Sequence, residues 1–198
     1  MSPSGGGRQR ILASALALFA ERGTSAVTVR DIAAAADVSP ALVLHHFGSK
    51  AGLEEAVDAH VAGVFDHLVE THDATDLLAP QGFADAMLAG LPEDSPVPAY
   101  VGRMLLDGGE AGHRLFAHWL DLSRALQSAL DDAGATTPTS DPDTRAAFLL
   151  VNDLALVLLR DHLARSLGYD PLAAAGLRRW SAEALRAYSV GVFRKEHP

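Results

Sequence analysis

Residues 28–50 read Thr-Val-Arg-Asp-Ile-Ala-Ala-Ala-Ala-Asp-Val-Ser-Pro-Ala-Leu-Val-Leu-His-His-Phe-Gly-Ser-Lys. Two short helices joined by a tight turn are written here, with a third helix starting directly after. Thr28 is a good N-cap for the first, and Asp31, three residues on, makes a variant capping box. Ile32 and Ala35 are expected to face inward. Asp37 ends the helix, since Asp is among the few non-glycine residues that tolerate left-handed geometry. Ser39 caps the second helix, and Pro40 takes its first position, where a missing N–H costs nothing. Gly48 closes that helix and Ser49 caps the next. Helices this short gain little from propensity and must be held by packing, so their punctuation is informative. The layout is a helix-turn-helix, which presents its second helix to the DNA major groove.

The flanking sequence continues in helices. Over residues 8–21, Ile11, Ala15, Leu18 and Phe19 fall on one face, with Gly23 as a stop. From Ser49 to about residue 72, the expected inward face is Leu53, Val57, Val61, Val64 and Leu68. Shorter helices follow over residues 80–91 and 99–106, separated by Pro92, Pro96 and Pro98, and Gly108 and Gly109 mark a break. A long helix over 110–132 repeats Leu115, Trp119, Leu122, Leu126 and Leu130 at close to heptad spacing. After a turn-rich loop come helices over 144–167 and 171–194, linked at Gly168. No strand-like alternation and no internal repeat is visible. The expectation is an all-α chain of about nine helices. A helix-turn-helix DNA-binding domain occupies residues 1–50, with 1–7 as a flexible arm. A helical ligand-binding and dimerisation domain occupies 51–198.

Charge is distributed to match. The net charge is −9 over 198 residues, but residues 1–50 hold five basic and three acidic side chains, a balance of +2. This segment approaches phosphate without net repulsion. Hydrophobic residues make up 48%, enough for a core, and cysteine is absent, which excludes disulfides and thiolate metal sites. The nearly apolar run 146–159 is shorter than a membrane span and contains Asn152 and Asp153, so it reads as a buried helix. Residues 1–7 have no signal-peptide pattern, and a cytoplasmic protein is expected.

The signatures Leu18-Phe19-Ala20-Glu21-Arg22-Gly23, Thr28-Val29-Arg30-Asp31-Ile32-Ala33, Val38-Ser39-Pro40 and His45-His46-Phe47-Gly48-Ser49-Lys50 occur in order. Over about residues 8–60 the chain resembles the TetR family of bacterial transcriptional regulators. The resemblance implies a homodimeric repressor, released from a double-stranded DNA operator by a small molecule in the C-terminal domain, with the last two helices forming the dimer interface. It also implies that Thr28, Ser39, Ala41, Leu44, His45, His46 and Lys50 line the DNA. The residues themselves fit. Pro40, Ala41, Leu42 and Leu44 offer apolar contacts to thymine methyls, and His45 offers a hydrogen-bonding ring. Thr28 and Lys50 sit at helix starts that can hold phosphate, and Arg30 adds charge. Val29, Ile32, Val38 and Val43 are core positions, and Phe47 is an anchor between helices. The chain departs from the family pattern at Leu44, where tyrosine is common, at Pro40, where a basic residue is common, and at Asp37, where glycine is frequent. Arg8 and Arg10 are left to carry more of the phosphate affinity.

The C-terminal region is less explicit. Tyr100, Met104, Phe116, Trp119 and Phe148 are candidates to line a ligand pocket, with core packing an equal alternative. Asn152 and Asp153 need partners in an apolar helix and can orient a ligand, fix dimer register or close a local network. His113 and His118 face a cavity or solvent. His60, His67 and His72, with Asp66, read as surface groups rather than a metal site, and His45 and His46, as neighbours on a helix, point apart. No metal and no cofactor is expected. Trp180, Tyr188 and Val192 give the last helix an apolar face that suits a homodimer. No P-loop, nucleophile elbow, His-Glu-x-x-His or dinucleotide fingerprint is present, so an enzyme is not expected. The alternatives are a DNA-binding regulator controlled by a protein partner without a small-molecule ligand and, behind it, an all-helical enzyme.

Overall fold

The computed structural model describes residues 4–71, 82–92 and 94–190. Ten helices are present among them: α1 (Ser4–Arg22), α2 (Val29–Ala35), α3 (Pro40–Phe47), α4 (Lys50–Thr71), α5 (Gly82–Gly90), α6 (Val97–Asp107), α7 (Glu110–Asp132), α8 (Pro142–Leu158), α9 (Arg160–Leu167) and α10 (Ala174–Val190). No strand occurs among the described residues. His72 and Val192 lie outside them, as does the expected helix start near residue 80.

α1 begins at Ser4, inside the stretch expected to be a loose arm. Extending an existing helix is far cheaper than nucleating one, so Gly5, Gly6 and Gly7 can join it despite poor propensity. The single helix expected over 144–167 is two. The backbone departs from helical geometry at Leu159 (φ −108°, ψ 12°). No Gly or Pro marks the break. It coincides with a tertiary pairing, in which both Arg160 Nε and a terminal nitrogen donate to the Asp170 carboxylate at 3.0 and 2.5 Å. The same carboxylate accepts from the Leu172 amide at 2.9 Å. That local turn delays the last helix from Pro171 to Ala174.

Two compact units emerge, one of residues 1–64 and 94–118, the other of 65–93 and 119–198. The first holds α1–α3, most of α4, α6 and the start of α7. Its core is Ile11, Ala15 and Phe19 of α1, Ile32 and Ala33 of α2, Val43 of α3, and Leu53, Val57 and Val61 of α4, all fully or almost fully buried. Leu18, Val29, Val38 and Val64 are half-buried. Ala35, expected inward, is exposed, and Ala33 and Ala36 are buried instead. In a helix of seven residues the buried stripe is fixed by what packs on it, and an alanine-only run gives no pattern to read.

α6 joins this unit although α4 and α5 lie between it and α3 in the chain. Tyr100 is buried against Phe19, ring centroids 6.5 Å apart, and its hydroxyl donates to Asp58 Oδ1 at 2.7 Å. One turn on, Arg103 donates to the carbonyls of Ala20 (3.4 Å) and Glu21 (3.2 Å), at the end of α1. A cation at a helix C-terminus satisfies carbonyls that have no partner within the helix. Burial, then the hydrogen-bonded Asp58 carboxylate, pushes the Tyr100 phenol far above its ordinary range, so it stays a neutral donor. Tyr100→Phe is expected to cost about 1–2 kcal/mol, the value of a hydrogen bond to a charged group whose partner can rehydrate. Urea unfolding at neutral pH measures it, and an unchanged midpoint would count against the bond.

In the second unit, Ala86 of α5 packs with Met87 and Leu126. Leu156 and Leu177 pack with Met87, Leu88, Leu163, Leu172 and Trp180. Met87 is common to both groups. Ser123 of α7 donates to the Ala146 carbonyl at 3.0 Å, which ties α7 to the start of α8. Asp85 and Arg178 join α5 to α10 at 3.0 Å. The run 146–159 is not wholly buried as expected. Ala146, Leu154 and Leu156 are inside, but Phe148 is 62% and Val151 53% exposed. No described helix is long and apolar enough to cross a membrane.

Candidate nucleic-acid interface

The turn between α2 and α3 is built as its residues dictate. The Thr28 hydroxyl accepts from the Asp31 amide at 3.2 Å, and Asp31 Oδ2 accepts from the Thr28 amide at 2.8 Å, a complete capping box. Asp37 takes the left-handed conformation, φ 53°. Ser39 Oγ accepts from the Leu42 amide at 3.2 Å, with Pro40 opening α3. Gly48, at φ 75°, ends it. Ser49 Oγ then accepts from the Gly52 amide at 3.0 Å, so α4 starts two residues after α3 stops.

These stops leave one face of α3 in the core through Val43 and the rest outward. Ser39, Pro40, Ala41 and His45 are exposed, Leu44 is 44% exposed, and Leu42 and His46 are half-buried. Thr28 and Arg30 are exposed at the start of α2. The contact candidates on α2 and α3 thus lie on surface that the fold does not consume. Ser39 is engaged as a cap, but its hydroxyl can still donate.

Phe47 is half-buried, and the Arg8 guanidinium lies over its ring at 5.0 Å from the centroid. His46 sits edge-on to Phe47 (6.3 Å) and to His45 (5.5 Å). A Cβ on Gly7 would lie 3.8 Å from His46 Nε2, so the beginning of α1 abuts the end of α3. A cation held on an aromatic face loses less freedom when it also meets phosphate. Lys50, half-buried, is engaged within the fold. Its ammonium donates to the Thr24 carbonyl at 2.5 Å and lies 3.4 Å from Glu54. It closes the loop between α1 and α2 on the start of α4.

Asp31 is held below the usual carboxylate range by hydrogen bonds from Thr28, first the side chain and then the amide. A group with a depressed folded pKa contributes stability above its unfolded pKa and loses it as pH falls through the folded pKa. Asp31→Asn is expected to lower the unfolding midpoint at neutral pH, with the gap to wild type closing under acid. A gap independent of pH would place the effect elsewhere than in the ionised capping box.

The six ligand candidates divide between the units. Tyr100 and Met104 on α6 and Phe116 on α7 belong to the first, Tyr100 being engaged by Asp58 and the other two half-buried. Trp119 is buried in α7 of the second unit. Phe148 is exposed and stacks edge-on against Tyr188 at 6.5 Å. Asn152 lies half-buried on α8 and hydrogen-bonds its neighbour Asp153. Burial pushes the Asp153 carboxyl up to about 7, against the lowering by Asn152. The residue still keeps an exposed surface, and solvent screening there limits any effect on stability. His60, His67 and His113 are exposed, and no group able to hold a metal occurs among the described residues. Two residues escaped the sequence reading: Arg103, because its carbonyl partners lie over 80 positions away, and Gln127, a buried amide within an apolar stripe.

A family model described as "Bacterial regulatory proteins, tetR family" matches residues 11–57, and one described as "Tetracyclin repressor-like, C-terminal domain" matches 92–193. The HTH-type transcriptional regulatory protein RaaS of Mycobacterium tuberculosis is 35% identical over 146 residues, 72% of this chain and 65% of RaaS, just under two thirds of that protein's length. The HTH-type transcriptional repressor Rv3405c of the same organism is 34% identical over 172 residues, 85% of this chain and 81% of the relative. Among solved structures, SmeT, the repressor of the Stenotrophomonas maltophilia multidrug efflux pump SmeDEF, superposes with a TM-score of 0.66. It is 20% identical, over 96% of this chain and 95% of SmeT, a likeness of fold.

Proposed function

The chain belongs to the TetR family of bacterial transcriptional regulators, and on that premise we propose that it is a homodimeric repressor released from its operator by a small apolar molecule. The observation that carries the DNA reading is the outward face of α3 from Ser39 to His45, capped at both ends and left unburied. It lies in a segment with a positive balance within an acidic chain.

Dimerisation is supported by the second unit. Phe148 and Val151 on α8 and Tyr188 on α10, the last 47% exposed, form apolar surface that a monomer would leave in water. Burial, then the nearby Asp153 charge, pushes the Tyr188 phenol up to about 12, which keeps it neutral there. A dimer reads two successive major grooves when its recognition helices stand about 34–36 Å apart. A molecule that binds better to a differently spaced state must weaken DNA binding by the same coupling. α4, which contributes residues to both units, and α6, tied to α1 and α4 through Arg103 and Tyr100, are the elements through which that coupling would run. In this reading the protein acts on DNA in the cytoplasm and performs no catalysis.

Fluorescence anisotropy with DNA from upstream of its own gene, in excess competitor and across salt concentrations, tests the proposal. Specific binding with a shallow salt slope is expected, because few cations line α2 and α3. Binding that ignores sequence, or a slope requiring many released counterions, would contradict it.

A further inference from the structure

Gln127 is 4% exposed, and neither its amide nitrogen nor its amide oxygen has a hydrogen-bond partner among the described residues. The Trp180 indole N–H is likewise buried without a partner among the described residues. Buried polar groups are almost always satisfied, because an unmet donor or acceptor forfeits its hydration and gains nothing in return. A carboxamide with both ends unmet within a helical core is therefore an exception that calls for a partner outside the fold.

The surroundings are defined on two sides. Ser123, one turn before Gln127, bonds the Ala146 carbonyl of α8, and Leu126, beside it, packs on Ala86 of α5. Met87, next along α5, belongs to the group that contains Trp180. Gln127 and Trp180 thus both belong to the second unit, Gln127 beside a residue that packs on α5 and Trp180 in the group that contains Met87 of α5.

We propose that the second unit binds a neutral, largely apolar molecule whose polar head both accepts and donates a hydrogen bond, with the Gln127 carboxamide as anchor and the Trp180 N–H as a second donor. Gln offers two donors and one acceptor, so its natural complement is a carboxamide or a hydroxy-carbonyl group. Neutrality follows from the anchors, since neither a carboxamide nor an indole N–H carries a charge to meet one, and an unpaired buried charge is expensive. As an effector site this rests on the regulatory reading above; as a binding site it does not.

Decanamide and N,N-dimethyldecanamide are suitable probes, since only the first can donate. They are titrated into the full-length protein, with thermal unfolding and tryptophan fluorescence as readouts. Decanamide is expected to bind saturably, and the dimethyl analogue about tenfold more weakly, the value of one lost hydrogen bond. Gln127→Leu should bind decanamide at least about tenfold more weakly. Its melting temperature without probe should equal or exceed that of wild type, because an unmet polar group has been replaced by an apolar one. Gln127→Met repeats the test with an unbranched side chain. Equal decanamide affinity in wild type and variants, no saturable response, or a variant melting below wild type without probe would overturn the site. Gln127-dependent binding that leaves operator affinity unchanged would keep the site and remove its effector role. Operator binding without any probe binding would do the reverse.

Discussion

Gly52→Ala is expected to destabilise the chain by about 3 kcal/mol and to abolish operator binding near its working temperature, although the substitution improves helix propensity. A Cβ at Gly52 would stand 2.3 Å from the Phe47 carbonyl oxygen, and that neighbour is backbone. No rotamer relieves the clash. Either the last turn of α3 or the first turn of α4 must move. The same carbonyl accepts from the Ser49 amide at 2.8 Å, and Ser49 Oγ holds the Gly52 amide, so both caps of the junction are strained together. With native stabilities near 5–15 kcal/mol, this is a large share. Gly63→Ala on the exposed side of the same helix is the control. A Cβ there meets nothing within 4 Å, and the change should gain up to about 1 kcal/mol. Thermal unfolding of both variants decides the matter. Equal melting temperatures would show that α3 and α4 slide freely and that their close approach fixes nothing.

That contrast bears on what could be read from the chain. Thr28, Asp37, Ser39 and Gly48 act through bonds to residues three or four positions away and Pro40 through its fixed φ at the helix start, and the structure places all of them as caps or turns. Such information is local, so the helix-turn-helix was legible. Gly52 carries no local signal of its close approach, since a glycine in a helix reads only as a weak propensity. Arg103 and Tyr100 act across tens of residues, and Leu159 breaks a helix without any breaker. Gln127 was hidden for another reason. Its neighbours Leu126 and Leu130 set the apolar rhythm of α7, and one polar residue beside that stripe reads as a surface position until its burial is known. The candidate pocket carries the least local information. Its six residues were chosen for aromatic or polar character in apolar helices, and that criterion does not distinguish the core of one unit from the core of the other.

Ser39→Ala combined with His45→Ala is expected to reduce operator affinity by at least about a hundredfold while leaving non-specific DNA binding nearly unchanged. One base-edge contact is worth about 1–3 kcal/mol of discrimination, and a homodimer loses each contact twice. His45 supplies the exposed hydrogen-bonding ring on the outward face of α3, where its neighbours Ala41 and Leu44 are apolar. Its removal takes away the polar reading of a base edge and leaves methyl contacts. Ser39 removal costs the hydroxyl that can meet phosphate, and also the cap on the Leu42 amide, worth about 1 kcal/mol of local stability. The pair is therefore compared with Ser39→Asp, which restores a capping acceptor but repels phosphate. If capping alone governed binding, Ser39→Asp would bind as wild type. If the outward face reads DNA, it should bind more weakly even where its melting temperature is restored. Lys50→Met separates the remaining role: with its ammonium held by Thr24 and Glu54, it should lower stability more than it lowers the salt slope. Anisotropy on specific and scrambled duplexes, across salt, resolves all three. An unchanged ratio of specific to scrambled affinity in the Ser39–His45 double variant would mean that α3 is not the element that reads the operator.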